Sequence, residues 1–156
     1  MHRIRIIAVG NHKERWVAES CAHFEKLLQR YAEIEWVAVR TVKGNRSLSP
    51  EVVRKRESER ILDRFRKGVH VALADGGTRV TSVMLARKLE RWLDQGAGRV
   101  SFLIGGIYGL HEEVLHRADY TLSLSPLTYS HQLVRPVLLE QLYRCFSIRH
   151  GTQYHK

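Results

Sequence analysis

The sequence predicts an α/β fold in which a mostly parallel sheet is flanked by helices on both faces. Three observations carry that expectation. Five short apolar runs rich in β-branched residues recur along the chain, and the segments between them place apolar residues at helical spacing. At 156 residues, with 44% hydrophobic and 27% charged side chains and only three prolines, the chain suits one compact domain over 1–156.

The first run is "RIRIIAV" near 3–9, and the helix expected after it spans 14–31. Its apolar stripe is Trp16, Val17, Cys21, Phe24, Leu27, Leu28 and Tyr31. A second strand is read in "IEWVAVRTV" at 34–42. Ser49, Pro50 and Glu51 then form a helix start, because a serine oxygen can cap free amides and proline suits the first turn; this helix is expected to reach about Phe65. "VHVALA" at 69–74 is the third strand. Thr81 or Ser82 opens the next helix, with Met84, Leu85, Leu89, Trp92 and Leu93 turned inward and Gly96 as a left-handed stop. The last two strands are "VSFLI" at 100–104 and "YTLSLS" at 120–125. A polar loop at 125–130 cannot continue the strand and leads into the most hydrophobic helix. Pro136 in that helix lacks an amide and clashes one turn back, so the regular helix is expected to begin near Leu133 or to kink.

Charge narrows the partners. Lys and Arg number 26 against 16 Asp and Glu, a formal net charge of +10. That excess favours polyanions such as nucleic acid, although a soluble protein with a basic surface is the plainer account. From Lys43 to Lys67 nine basic residues, Arg46 among them, stand against four acidic ones, which suits either a solvated helix face or a phosphate-contacting arm. No run of about 18 apolar residues exists, and "MHRIRIIAVG" has too short an apolar core for a secretory signal, so no membrane association and a cytoplasmic location are expected. Cys21 and Cys145 read as buried thiols in a reducing compartment, and none of the nine histidines has zinc-ligand spacing; no metal is expected.

The stretch "SFLIGGIYGLHEEV" places Gly105, Gly106 and Gly109 directly after a buried strand. Glycine there permits unusual dihedrals and lets a ligand approach bare main chain at the carboxyl end of a parallel strand, where open α/β sheets hold their ligands. The spacing matches neither the dinucleotide fingerprint nor a phosphate loop, and a simple tight turn remains open. On the ligand reading, Gly105→Val blocks the pocket while sparing the fold.

Three motifs in order, "LIGGIYGL", "LSLSPLTYSHQLVRPVLLEQLYR" and the terminal "YHK", make the chain resemble the bacterial large-subunit ribosomal pseudouridine methyltransferases, small members of the knotted SPOUT class. The likeness runs from "AVG" in the first strand to the tail. It implies a trefoil knot in the C-terminal part, a homodimer, and S-adenosyl-L-methionine as cofactor. The implied reaction is methylation of N3 of a pseudouridine in 23S ribosomal RNA within the ribosome. It further implies cofactor contacts at Leu73, Gly105, Leu124, Ser125, Pro126, Leu127, Thr128 and Tyr129. Relatives often carry proline where this chain has Ser130, and an aliphatic residue where it has Pro136.

Methyl transfer to an imide nitrogen requires that its proton be removed or the resulting anion stabilised. His131, directly after the loop, has a suitable pKa and is the first candidate for base or orienter; a capping or packing role is the alternative. Arg135 and Arg144 could bind phosphate or an anionic base, or pair with Glu140. Tyr154 and His155 are candidates for the substrate side because the resemblance implies that the tail helps to build the site. A noncatalytic ribosome-associated RNA-binding protein of the same fold is the competing reading, and an unrelated nucleotide-binding enzyme would need a phosphate motif that is absent.

Overall fold

A computed structural model describes residues 1–43 and 47–156; Arg46 of the basic stretch lies outside the described residues. The elements run β1 (His2–Val9), α1 (Arg15–Leu28), β2 (Ala32–Val39), α2 (Pro50–Leu62), β3 (Val69–Arg79), α3 (Ser82–Gln95), β4 (Arg99–Ile104), α4 (Glu112–Arg117), β5 (Tyr120–Ser123) and α5 (Val134–Arg149). The strands form one sheet in the order β2-β1-β4-β3-β5, and every pairing is parallel.

Successive side chains of a strand point to opposite faces, so a fully buried parallel sheet must be apolar on both. In β1 the residues Ile4, Ile6 and Ala8 join one core with α1, α3 and α5, where Cys21, Leu28, Leu85, Leu93, Leu138, Leu142 and Phe146 pack against Val71 and Phe102. Ile7 and Val9 face the other way and meet Val39, Ala72 and Leu103 under Ile61 and Leu62 of α2 and Val114 of α4. The mostly parallel sheet with helices on both faces is thus as expected.

Local chemistry sets the helix starts. Ser49 Oγ accepts the Val52 amide with Pro50 in the first turn, and Thr81 Oγ1 accepts the Met84 amide. Leu133 flanks the start of α5, which puts Pro136 in the first turn, where a missing amide breaks no helical hydrogen bond.

Several boundaries and faces differ from expectation. Trp16 and Met84 are 49% and 47% exposed: each sits one position from the truly buried residues Val17 and Leu85, on the flank of its stripe. The second helix stops at Leu62, short of Phe65, and β2 stops at Val39, where the Gly10 amide donates to the Val39 carbonyl and the neighbouring strand has ended. Gly96 is not left-handed (φ −87°); the positive dihedrals belong to Ala97 (φ 49°) and Gly98 (φ 80°). β3 runs past Ala74 to Arg79 because its register against β5 shifts, Leu73 and Thr78 both facing Leu122. Cys21 and Cys145 are buried free thiols.

Candidate active site

Beside the middle of β3 and the carboxyl ends of β4 and β5 lies a cleft of about 690 Å³, within the range of small-molecule sites. Its walls come from three segments: Leu73 to Asp75 within β3, where its register against β5 shifts, Ile104 to Leu110 leaving β4, and the stretch from Leu122 at the end of β5 to Val134.

The glycine turn forms one wall. Gly105 and Gly106 are buried, whereas Ile107 and Tyr108 at the tip are exposed. The Gly109 amide donates to the Gly106 carbonyl at 3.0 Å, and Gly109 has φ +77°, a conformation that glycine adopts freely. A Cβ at Gly105 would stand 2.5 Å from the carbonyl carbon of Gly109 and 2.7 Å from its oxygen. Gly105 is therefore glycine because the main chain folds back upon itself, and the expectation that valine there would spare the fold is overturned. From beneath, α2 braces the turn. A Cβ at Gly106 would come within 2.8 Å of Glu57 Oε1, while Glu57 Oε2 accepts the Val42 amide at 3.1 Å and Ser58 Oγ accepts the His111 amide at 2.9 Å. Burial pushes the Glu57 carboxyl above its ordinary pKa despite the Val42 amide and the nearby charges of Arg60 and Lys13.

The opposite wall is the irregular stretch after β5, which is held by its own short hydrogen bonds. The Ser123 hydroxyl donates to the Ser125 carbonyl, Ser125 Oγ accepts the Leu127 amide, and Ser130 Oγ accepts the Leu133 amide. Thr128 Oγ1 donates to Asp75 Oδ2 at 3.4 Å across the rim. Gln132 ties this stretch to the β1–α1 turn: its Nε2 donates to the Asn11 carbonyl and its Oε1 accepts the Lys13 amide.

Of the residues singled out in the sequence, Leu73, Gly105, Leu124, Ser125, Leu127, Thr128, Tyr129 and His131 line this cleft; Pro126, Arg135, Tyr154 and His155 do not. Pro126 is exposed in the same loop. Arg135 is only 1% exposed: Nε donates to the His131 carbonyl, one terminal nitrogen to Val9 and Gly10 carbonyls, and the other lies 3.2 Å from His12 Nδ1. Its guanidinium, 5.9 Å from the Trp36 ring centre, is sealed among backbone carbonyls and cannot touch a ligand in the cleft. Tyr154 and His155 pack on α5. The Tyr154 hydroxyl donates to Glu140, His155 Nδ1 lies 3.3 Å from Arg144, and Arg144 is ion-paired with Glu140 beneath the Tyr154 ring. Sequence reasoning missed Asp75 on the rim, although its "ADGGT" context carries two adjacent glycines, and missed Gln132, whose role depends on a partner more than a hundred positions away.

His131 is half-buried, and its pKa is lowered by burial first, then by the charges of Lys13 and Arg135. At neutral pH its imidazole is neutral and can accept a proton. His2, His12 and His70 are lowered too, each chiefly by burial. A histidine with a folded pKa below its ordinary 6.5 leaves the unfolded chain holding more protons, so stability present above that value is lost as pH falls through it. Thermal unfolding should therefore show a lower melting temperature at pH 5 than at pH 7. Glu57, with its raised pKa, opposes part of the fall. A His131→Gln variant should flatten the slope, and an unchanged slope would contradict the direction assigned to His131.

Residues 2–155 match the family model described as "Predicted SPOUT methyltransferase". The chain belongs to the SPOUT methyltransferase family. Named SPOUT relatives are close over the full length: "Ribosomal RNA large subunit methyltransferase H" of Acetivibrio thermocellus is 42% identical over 99% of both chains, and the proteins of the same name from Lysinibacillus sphaericus and Methylobacillus flagellatus are 41% and 38% identical. The alignments cover 98% of this chain and 99% of the Lysinibacillus protein, and 99% of both chains for Methylobacillus. Among solved structures, "a probable methylase family protein" from Haemophilus influenzae shares the fold with a TM-score of 0.58 at 15% identity, covering 98% of this chain and 70% of that one. A "Probable Methyltransferase" from Bordetella pertussis gives 0.55 at 17%, covering 92% and 96%. The SPOUT membership makes the protein an enzyme and S-adenosylmethionine its methyl donor. The cleft fits that donor. Leu73, Ile104, Leu122 and Leu124 offer apolar walls suited to a purine, Asp75 offers a carboxylate on the rim, and the space beside Gly109 is open to a ligand lying on bare main chain. Among the described residues no group of His, Cys, Asp and Glu could hold a metal ion, and no helix is long and apolar enough to cross a membrane.

Proposed function

We propose that this SPOUT enzyme methylates N3 of a pseudouridine in large-subunit ribosomal RNA, acting on the ribosome in the cytoplasm as a homodimer with one methyltransferase domain per chain. The observation that carries the reading is the full-length identity of about 40% to relatives named for the large-subunit RNA, together with the net charge of +10.

When bound, the donor supplies a methyl group carried on a sulfonium. Leu73, Gly105, Leu124, Ser125, Leu127, Thr128 and Tyr129 bind and orient it, and Pro126 bends the loop that closes over it. His131, neutral at physiological pH, accepts the imide proton of the target base. Arg135 is a positioning residue: by holding the His131 carbonyl together with the end of β1, it sets the height of the imidazole over the cleft. Tyr154 and His155, ordered on α5 and away from their own cleft, serve the substrate side of the partner copy's site. The passage of residues 124–133 from the edge strand β5 across to the β1–α1 turn, with α5 beyond it, supports a knotted C-terminal part.

Ribosomes from a strain lacking the modification, incubated with the enzyme and labelled donor, should yield methylpseudouridine in large-subunit RNA by nucleoside mass spectrometry. Label in another base would reject the pseudouridine assignment. No label from a folded, donor-binding enzyme would reject the RNA substrate. His131→Gln should retain donor affinity within about threefold and lose at least about 100-fold in transfer rate, the loss of a general base; a variant with full rate would remove His131 from the chemistry.

A further inference from the structure

A second depression of about 700 Å³ lies on the same edge of the sheet, at the carboxyl ends of β1 and β2. Lys13 from the β1–α1 turn, Arg40 and Lys43 from the exit of β2, and Arg60 from α2 line it, over a floor that includes Gly10. None of these four cations has an acidic side chain within ion-pair distance among the described residues. Glu57 beneath them is committed to the Val42 amide, and burial raises its pKa. Arg60 also donates to the Arg40 carbonyl at 2.7 Å, which holds the exit of β2 in place. Four unpaired cations within one concave surface repel one another, and an anion relieves that repulsion.

The depression adjoins the methyl-donor cleft. β1 is hydrogen-bonded to β4, whose end opens into the glycine turn, and the charge of Lys13 is felt by His131 in the cleft. A nucleotide with its base in the cleft would carry its sugar-phosphate chain toward Lys13.

We propose that Lys13, Arg40, Lys43 and Arg60 seat a backbone phosphate of the substrate RNA beside the nucleotide being methylated. This rests on the RNA substrate proposed above. Contacts to phosphate supply affinity and register without reading sequence, so Arg40, Lys43 and Arg60 contribute to binding and leave the chemical step alone, while Lys13 also acts on His131 through its charge.

The test uses the full-length enzyme with Lys13→Gln, Arg40→Gln and Lys43→Gln combined, leaving Arg60 to hold the β2 exit. A control of equal net charge carries Lys26→Gln, Arg87→Gln and Arg91→Gln, on exposed faces of α1 and α3. Donor binding should match wild type in both. Affinity for unmodified large-subunit ribosomal RNA at about 0.1 M salt should fall at least about tenfold in the groove variant, with a salt dependence shallower by about one unit of log–log slope for each phosphate no longer neutralised. KM should rise while kcat holds in the Arg40→Gln and Lys43→Gln double variant; adding Lys13→Gln raises KM further and also lets the His131 pKa rise. The single Arg40→Gln variant should move the same way by a smaller factor. A groove variant that binds and methylates like wild type, or a control that loses as much, overturns the groove. A wild-type enzyme that binds donor yet neither binds nor methylates this RNA overturns the substrate reading, and the groove proposal with it.

Discussion

Gly105→Ala is expected to weaken S-adenosylmethionine binding at least about 100-fold and to lower the melting temperature by roughly 2–12 °C. The added methyl would lie 2.5 Å from the Gly109 carbonyl carbon, and both groups it meets are main chain, so no side-chain rotation relieves the contact. Relief requires the turn to open, which breaks the hydrogen bond from the Gly109 amide to the Gly106 carbonyl and moves one wall of the cleft. Overpacking of this kind costs about 1–3 kcal/mol, and a chain of this size loses about 2–4 °C per kcal/mol. Gly76→Ala is the matched control: a Cβ there meets nothing within 4 Å, so both quantities should stay at wild type. Calorimetry with the donor and a thermal scan decide the matter. Wild-type affinity in Gly105→Ala would remove the glycine turn from the binding site.

Arg135→Met should destabilise the protein by about 1–3 kcal/mol, the cost of leaving buried carbonyl acceptors without their donor. The guanidinium serves carbonyls on two segments far apart in the chain, Val9 and Gly10 at the end of β1 and His131 at the start of α5. Methionine fills similar space with no donor, so those carbonyls are left short of the partner that the guanidinium supplies. The loss of the charge should also let the pKa values of His12 and His131 rise toward the ordinary value. Arg135→Lys should recover only a minor part, because an ammonium cannot span both segments as a planar fork does. Urea unfolding of the three proteins measures the difference. A loss below about 1 kcal/mol in Arg135→Met would show that the clamp contributes little.

How far the chain could be read depended on whether a feature was set locally. Ser49 with Pro50, and Thr81, start helices by capping amides three residues on, so both starts were legible. The apolar runs of β1 and β4 signalled strands covered on both faces. The faces of Trp16 and Met84 were not legible, since residues on the flank of a stripe share its spacing and differ only in what the neighbouring helix covers. The bulge in β3 had no local cause: a Cβ at Gly77 would lie 2.6 Å from the Leu122 backbone, and only the approach of β5 reveals that closeness. Within the site, the loop residues were legible as a polar, proline-containing break between strand and helix. Whether Arg135 faced a ligand or its own backbone was not, because a guanidinium suits both and the decision rests on carbonyls at Val9 and Gly10.

The order of strands has a kinetic consequence. The interior strand β1 takes β4 as its second neighbour, pairing Arg3 with Arg99, and α5 packs against both α1 and α3. Such partners lie far apart along the polypeptide, so loop-closure entropy must be spent before the middle of the sheet gains anything in return. Until they meet, one flank of β1 presents bare amides and carbonyls to any passing strand. Assembly of this topology is therefore governed by long-range search, and slow refolding is built into the same arrangement that brings distant segments to one catalytic edge.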